Sequence, residues 1–205
     1  KLNLPGNPFK SVLTLQRKDY FRKFQKTYKL RFPNYKVFNN NEKQDAFDWL
    51  KKQDLPLFLK PIDSSGSKGV NLIKKFEEFD QAFDNAIKFS IEKKIIIEEK
   101  INKSGHQIAG DGFVQKGKLS FYCFANENFD NTCNGLVPIG QSFPTTHKKE
   151  QIKIAVELIQ EIINNLSFKN GALNFDFVFN EFNECFILEI GPRNGGDYID
   201  DVVKY

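Results

Sequence analysis

Two short segments near the end of the chain, Asn174-Phe175-Asp176-Phe177-Val178 and Phe186-Ile187-Leu188-Glu189-Ile190, each set one carboxylate in an otherwise apolar run. A charge buried among Phe, Ile, Leu and Val is costly unless something pairs with it, so two such acids on neighbouring strands predict a shared divalent cation. Magnesium carrying a nucleotide is the natural candidate. The competing reading puts Asp176 and Glu189 on the solvent face of an alternating hairpin. The segment just beyond them, Gly191-Pro192-Arg193-Asn194-Gly195-Gly196, favours the cation. An arginine just beyond two acids is placed to hold a phosphoryl group, and paired glycines let the backbone come close to it.

A second candidate is Phe58-Leu59-Lys60-Pro61-Ile62-Asp63-Ser64-Ser65-Gly66-Ser67-Lys68-Gly69-Val70. Here a lysine ends an apolar strand and a loop of small hydroxylated residues and glycines comes next. One ammonium and several backbone N–H groups can surround phosphates in such a loop. It is not a Walker A loop, because the GxxxxGK[ST] spacing is missing and the loop leads into Val70-Asn71-Leu72-Ile73, a strand, rather than into a helix. Read by itself such a loop is more often just a mobile hairpin, and the lysine before it brings a phosphate role level with that reading. The third candidate, Ile95-Ile96-Ile97-Glu98-Glu99-Lys100-Ile101, is a buried strand emerging into acids. Its backbone could offer an N–H and a C=O to a flat base, with an acid to take amino hydrogens; the alternative is an ordinary strand end with solvated charges.

The elements that must position these residues can be read from periodicity. Tyr20, Phe21, Phe24 and Tyr28 have helical spacing between Leu15 and Lys29, and Phe32-Pro33 closes that helix. Tyr35 to Phe38 reads as a strand, and Asn39-Asn40-Asn41 caps a helix carrying Ala46, Phe47, Trp49 and Leu50. Strands are predicted at Leu57 to Pro61, Val70 to Ile73 and Ile95 to Ile97, with an amphipathic helix over residues 76–89. Val114 and Leu119 bracket a hairpin turn. Residues 126–147 read as a long connection, and Ile152 to Leu166 as a long helix stopped by Asn170-Gly171. Hairpins mixed with helices predict an α+β architecture with mainly antiparallel sheet.

Composition narrows the function classes. The chain has 205 residues, with 30 basic against 26 acidic side chains and a net charge of +4 that forms no basic block, so neither nucleic acid nor a membrane surface is an expected partner. No apolar run approaches the roughly 20 residues that cross a bilayer, and Lys1-Leu2-Asn3-Leu4-Pro5 lacks a signal peptide's apolar core. Cys123, Cys133 and Cys185 show no CxxC spacing, and two of them sit in strand-like contexts where a buried free thiol is the usual state, which fits a reducing cytoplasm. The sequence contains no methionine, even at residue 1, and so predicts a segment of a longer protein.

Taken in order, these motifs resemble the ATP-grasp superfamily of carboxylate-amine ligases and carbamoyl-phosphate synthase-like enzymes, and the resemblance runs from Lys18 to Gly196. It implies ATP held between two α+β lobes, with magnesium (or manganese) as the metal. The chemistry implied is activation of a small carboxylate as an acyl phosphate that an amine or other nucleophile attacks. On this resemblance Lys60 contacts the nucleotide phosphates and Ser65, Gly66, Ser67, Lys68 and Gly69 close over them. Lys18 is the earlier ATP lysine, while Glu98, Glu99 and Ile101 form the adenine hinge. Asp176 and Glu189 are the metal acids, and Arg193, with Lys60, faces the transferred phosphate. There are two departures. Gly191 stands where many members have an asparagine, so that either Asn194 supplies the amide ligand or the metal keeps a water. Gln107 stands where an acid often holds the ribose. His106 reads as structural or solvent-facing. The organisation implied is a lead at residues 1–17 and a domain at 18–205, with a small lobe near 35–97, a large lobe near 98–205, and flanking lobes of a longer chain beyond it. A non-catalytic, nucleotide-responsive module of the same fold and a sheet-rich interaction domain are the alternative functions.

Overall fold

In the computed structural model, residues 6–130, 132 and 135–196 are described; Cys133 and residues 197–205 lie outside this set. The chain divides into two units, one built from residues 17–101 with 129–138, the other from residues 1–16, 102–128 and 139–205.

The unit that begins at Arg17 holds a four-stranded antiparallel sheet in the order β1-β4-β2-β3, formed by β1 (Tyr35–Asn39), β2 (Leu57–Pro61), β3 (Asn71–Ile73) and β4 (Lys94–Glu99). Alternation along the strands gives its two faces opposite characters. Leu57, Leu59, Ile95 and Ile97 point into a core with Phe38, Leu50 and Phe83. That core is shared with α3 (Lys43–Leu50) and α4 (Phe79–Phe89), the second of which continues a 3-10 turn over residues 76–78. Each such side chain, once fully buried, favours folding by about 1.5–3 kcal/mol. Phe58, Lys60, Ile96 and Glu98 fall on the opposite face, because Phe58 pairs with Glu98 and Lys60 with Ile96.

The helix expected from Leu15 to Lys29 is interrupted. α1 (Phe9–Gln16) ends one residue before α2 (Lys18–Thr27), because Arg17 takes an extended conformation with φ −113° and ψ 118°. Arg17 is held there by Asp19 and Glu92, interactions that helical spacing cannot reveal.

The other unit holds a five-stranded sheet in the order β7-β6-β5-β8-β9, from β5 (Ile108–Gln115), β6 (Lys118–Phe129), β7 (Pro138–Ser142), β8 (Gly171–Phe179) and β9 (Cys185–Gly191). β5 and β6 join through Lys116-Gly117, both at positive φ (51° and 79°), the two-residue geometry that matches strand twist. Gly110 and Gly112 on β5 leave room for rings: an added Cβ would come within 2.3 Å of Phe124 and 2.7 Å of Phe175. Those rings meet edge to face, with Phe177 and Phe179 beside them.

Two expectations about this unit need correction. Residues 126–147 are not wholly a connection, since β6 runs on to Phe129 and β7 forms an edge strand from Pro138. α5 (Lys149–Leu166) is stopped not by Asn170-Gly171 but by Ser167, which turns left-handed at φ 51° while its N–H donates to Asn164. Gly171 instead starts β8. Among the described residues no helix is long and apolar enough to cross a membrane.

Candidate functional site

The Arg17 unit gathers a cationic set. Lys60 leaves β2 with its ammonium 2.7 Å from a Glu98 carboxylate oxygen and 4.8 Å from the centre of the Phe58 ring. Glu98 is fully buried and is also bound by Arg22 of α2, whose Nε donates to it at 2.8 Å. Arg22 is equally buried and donates through Nη1 to Gln25. Burial alone would raise the Glu98 carboxyl. The charges of Arg22 and Lys60 and the hydrogen bonds they donate outweigh it, holding Glu98 at about 2 against an ordinary 4.5. Glu98 is therefore ionised at neutral pH, and its carboxylate holds the Lys60 ammonium.

The loop after β2 is built by its glycines and hydroxyls. Gly66, Ser67 and Gly69 all take positive φ, and a Cβ on Gly69 would come within 2.8 Å of both Phe89 and Pro61. Ser64 Oγ donates to the Lys68 carbonyl and Ser67 Oγ to the Leu136 carbonyl, while Ser65, Gly66 and Lys68 are exposed. Lys18, first residue of α2, docks against the same loop. Its N–H donates to Ile62 and its ammonium to the Ser64 carbonyl at 2.7 Å. Lys18, Lys60 and the loop 65–69 are thus brought together through Ser64, β2 and α2.

Of the proposed hinge, Glu98 turns inward to Arg22 and Lys60, so its carboxylate is engaged by protein cations here. Glu99 exchanges two bonds with Asn34: its N–H donates to the Asn34 carbonyl, and its carboxylate accepts the Asn34 N–H. Ile101 follows the strand, half-buried.

The five-stranded unit gathers an acidic set. Asp176 on β8 and Glu189 on β9 are direct cross-strand partners, both half-buried, and the ladder shifts register immediately after Asp176. Directly paired residues share a face, so both carboxylates stand on one side of the sheet, and a bulge beside them re-aims the strand. Two carboxylates in this relation fit magnesium, which takes one or two acids and fills its remaining positions with water and phosphate oxygens. Asn174 shares their face, two residues before Asp176 and directly opposite Gly191. Asn194 is exposed, and its carbonyl accepts from Arg193 Nη1 at 2.7 Å. Arg193 folds back over Gly191, whose missing Cβ would lie 3.6 Å from its side chain. Gln107 precedes β5, half-buried, its carbonyl accepting the Glu127 N–H.

Sequence reading missed Arg22, Asn174 and Asp111. Arg22 lies four residues after Lys18, hence on its helix face, and that spacing was a usable signal. Asn174 lies two residues before Asp176, which places it on the same strand face. Asp111 had no signal beyond its place between two glycines. The remaining titratable groups of note are the thiols. Burial pushes buried Cys185 up to about 12, and burial with the Asp111 charge raises Cys123. His147 contacts the His106 carbonyl and Gln151, a structural arrangement.

Among known proteins, the chain is 28% identical over 172 residues to the D-alanine–D-alanine ligase of Helicobacter pylori strain P12, covering 79% of this chain and 46% of that one. Its fold matches the L-amino acid ligase from Bacillus licheniformis with a TM-score of 0.75 at 20% identity, over 98% of this chain and 46% of that one. It also matches the VanG D-Ala:D-Ser ligase from Enterococcus faecalis, with a TM-score of 0.77 at 18% identity over 95% of this chain and 57% of that one. The chain spans about half the length of these relatives. The model of the ATP-grasp domain matches residues 19–197, a span holding Lys60, the loop 65–69 and the acidic set, and the chain belongs to the ATP-grasp family.

Proposed function

We propose that the chain binds ATP with magnesium and supplies the nucleotide site of a ligase that converts a small carboxylate to an acyl phosphate for attack by an amine or other nucleophile. The observation that carries this reading is the direct cross-strand pairing of Asp176 with Glu189 on one sheet face, with Arg193 just beyond the second strand. In this reading Asp176 and Glu189 hold the metal, with Asn194 or a water completing it, and manganese can substitute. Lys60, aimed by Glu98, and Lys18 neutralise phosphate oxygens. The backbone of Ser65, Gly66, Ser67, Lys68 and Gly69 covers those oxygens. Glu99 and Ile101 offer main-chain groups to adenine, and Gln107 can hydrogen-bond a ribose hydroxyl. Arg193 and Lys60 oppose the negative charge on the phosphoryl group as it moves, the main lever in such transfers. The metal supplies charge neutralisation at the transferring phosphate when bound. We assign the carboxylate and the nucleophile to parts of a longer protein in a cytoplasmic setting.

Calorimetric titration with adenylyl imidodiphosphate, with and without magnesium, tests the reading. Binding should require magnesium and weaken in Lys60→Ala. Asp176→Asn combined with Glu189→Gln should abolish the magnesium requirement together with the tight binding. Unchanged affinity in that double variant would sink the metal assignment.

A further inference from the structure

Asp111 is a buried carboxylate that the proposed chemistry does not use. It lies on β5, paired with Asn174 of β8 and with Cys123 of β6, two residues from Ala109, which pairs with Asp176. Paired residues, and residues two apart on a strand, share a face, so Asp111 stands on the side of the sheet that carries Asp176 and Glu189. A carboxylate is costly to bury, and its Oδ1 is met by neutral donors: the Gly195 N–H at 2.8 Å and Asn174 Nδ2 at 3.1 Å. Asn174 Nδ2 also donates to the Gly110 carbonyl, which fixes the amide's orientation.

Contact with Gly195 is close enough to dictate the residue there. A Cβ on Gly195 would lie 2.9 Å from both Asp111 oxygens and from Asn174 Nδ2. Backbone and carboxylate are therefore interlocked, across 84 residues of sequence, immediately after Arg193 and Asn194. Without that anchor, Pro192 to Gly196 would be an exposed turn beyond the last strand.

We propose that Asp111 is a positioning residue for the metal and phosphate end of the site. By accepting the Gly195 N–H it fixes the backbone that carries Arg193 and Asn194 beside Asp176 and Glu189. Its importance to metal binding rests on the magnesium–ATP reading above; the anchor itself does not.

Two measurements on the whole chain separate these. In hydrogen exchange without nucleotide, Asp111→Ala should speed exchange of the amides around Gly195 by about tenfold or more, leaving β5 and β8 protected. In magnesium titrations with adenylyl imidodiphosphate, the same variant should raise the magnesium half-saturation roughly 10- to 100-fold, as loss of outer-shell partners does, with nucleotide binding recovered at saturating magnesium. Asp111→Asn keeps an acceptor oxygen for Gly195 and should restore both readouts, which loss of fold stability would not predict. Gly195→Ala, which keeps the Asp111 carboxylate but displaces it with the new Cβ, should reproduce Asp111→Ala and covers the case in which that variant fails to fold. Wild-type-like exchange in both disruptive variants overturns the anchor. So does an Asp111→Asn as damaged as Asp111→Ala. If the anchor variants free the segment but wild type binds no magnesium nucleotide, the site reading fails and the anchor stands.

Discussion

Glu98 shows how much a single buried charge can demand of its neighbours. Its carboxyl sits at about 2 in the folded chain against 4.5 otherwise, so the folded state binds its proton less readily than the unfolded state does. The resulting stabilisation is fully present above pH 4.5 and is lost as pH falls toward about 2. A shift of that size corresponds to something on the order of 3 kcal/mol. Urea denaturation at a series of acidic pH values should show stability falling steeply through this window in the wild type. Glu98→Gln should be less stable at neutral pH and much flatter below it; an equally steep fall in that variant would mean other carboxylates control acid stability. The residue itself was legible as an acid at the end of an apolar strand. Its inward orientation was not, because that depends on Arg22, which sits among Tyr20, Phe21 and Phe24 where spacing suggested an apolar helix stripe.

Elements with strong periodicity came out of the sequence clearly, and elements defined by local strain did not. α4 and α5 follow from their apolar spacing, and β8 and β9 from one acid in each apolar run. β7 was illegible, because a short edge strand of Pro138-Ile139-Gly140-Gln141-Ser142 has neither alternation nor a buried face. The end of α5 was misread because Asn170-Gly171 is the better stop signal, yet Ser167 takes the left-handed turn. A non-glycine residue pays a steric cost there, so Ser167→Gly should stabilise the chain by about 1 kcal/mol. In thermal unfolding that is a rise of roughly 2–4 °C. A lower midpoint would mean the serine side chain supports the cap by more than its backbone costs it.

At the scale of the whole chain, the motif order was legible, and each unit of the fold is assembled from separated stretches of sequence. On the magnesium–ATP reading proposed above, the stability of the chain is linked to both ligands. With adenylyl imidodiphosphate and magnesium at a hundred times the dissociation constant, mass action adds about 2.7 kcal/mol. A thermal shift should therefore appear with magnesium and nucleotide together and shrink when either is withheld or when Lys60→Ala is heated at the same concentrations. A shift that ignores magnesium would place the nucleotide away from the acids.

The segmentation also sets an order of events at the ribosome. α1 belongs with the five-stranded unit, where Ser11 donates to the Leu166 carbonyl, 155 residues later, and the Asn7 side chain donates to Asn170. At typical synthesis rates those partners emerge on the order of ten seconds after α1 does. Over that interval residues 17–101, which carry every strand of the four-stranded sheet, are already complete. The nascent chain thus finishes its lysine-bearing sheet while α1 is still waiting for somewhere to dock.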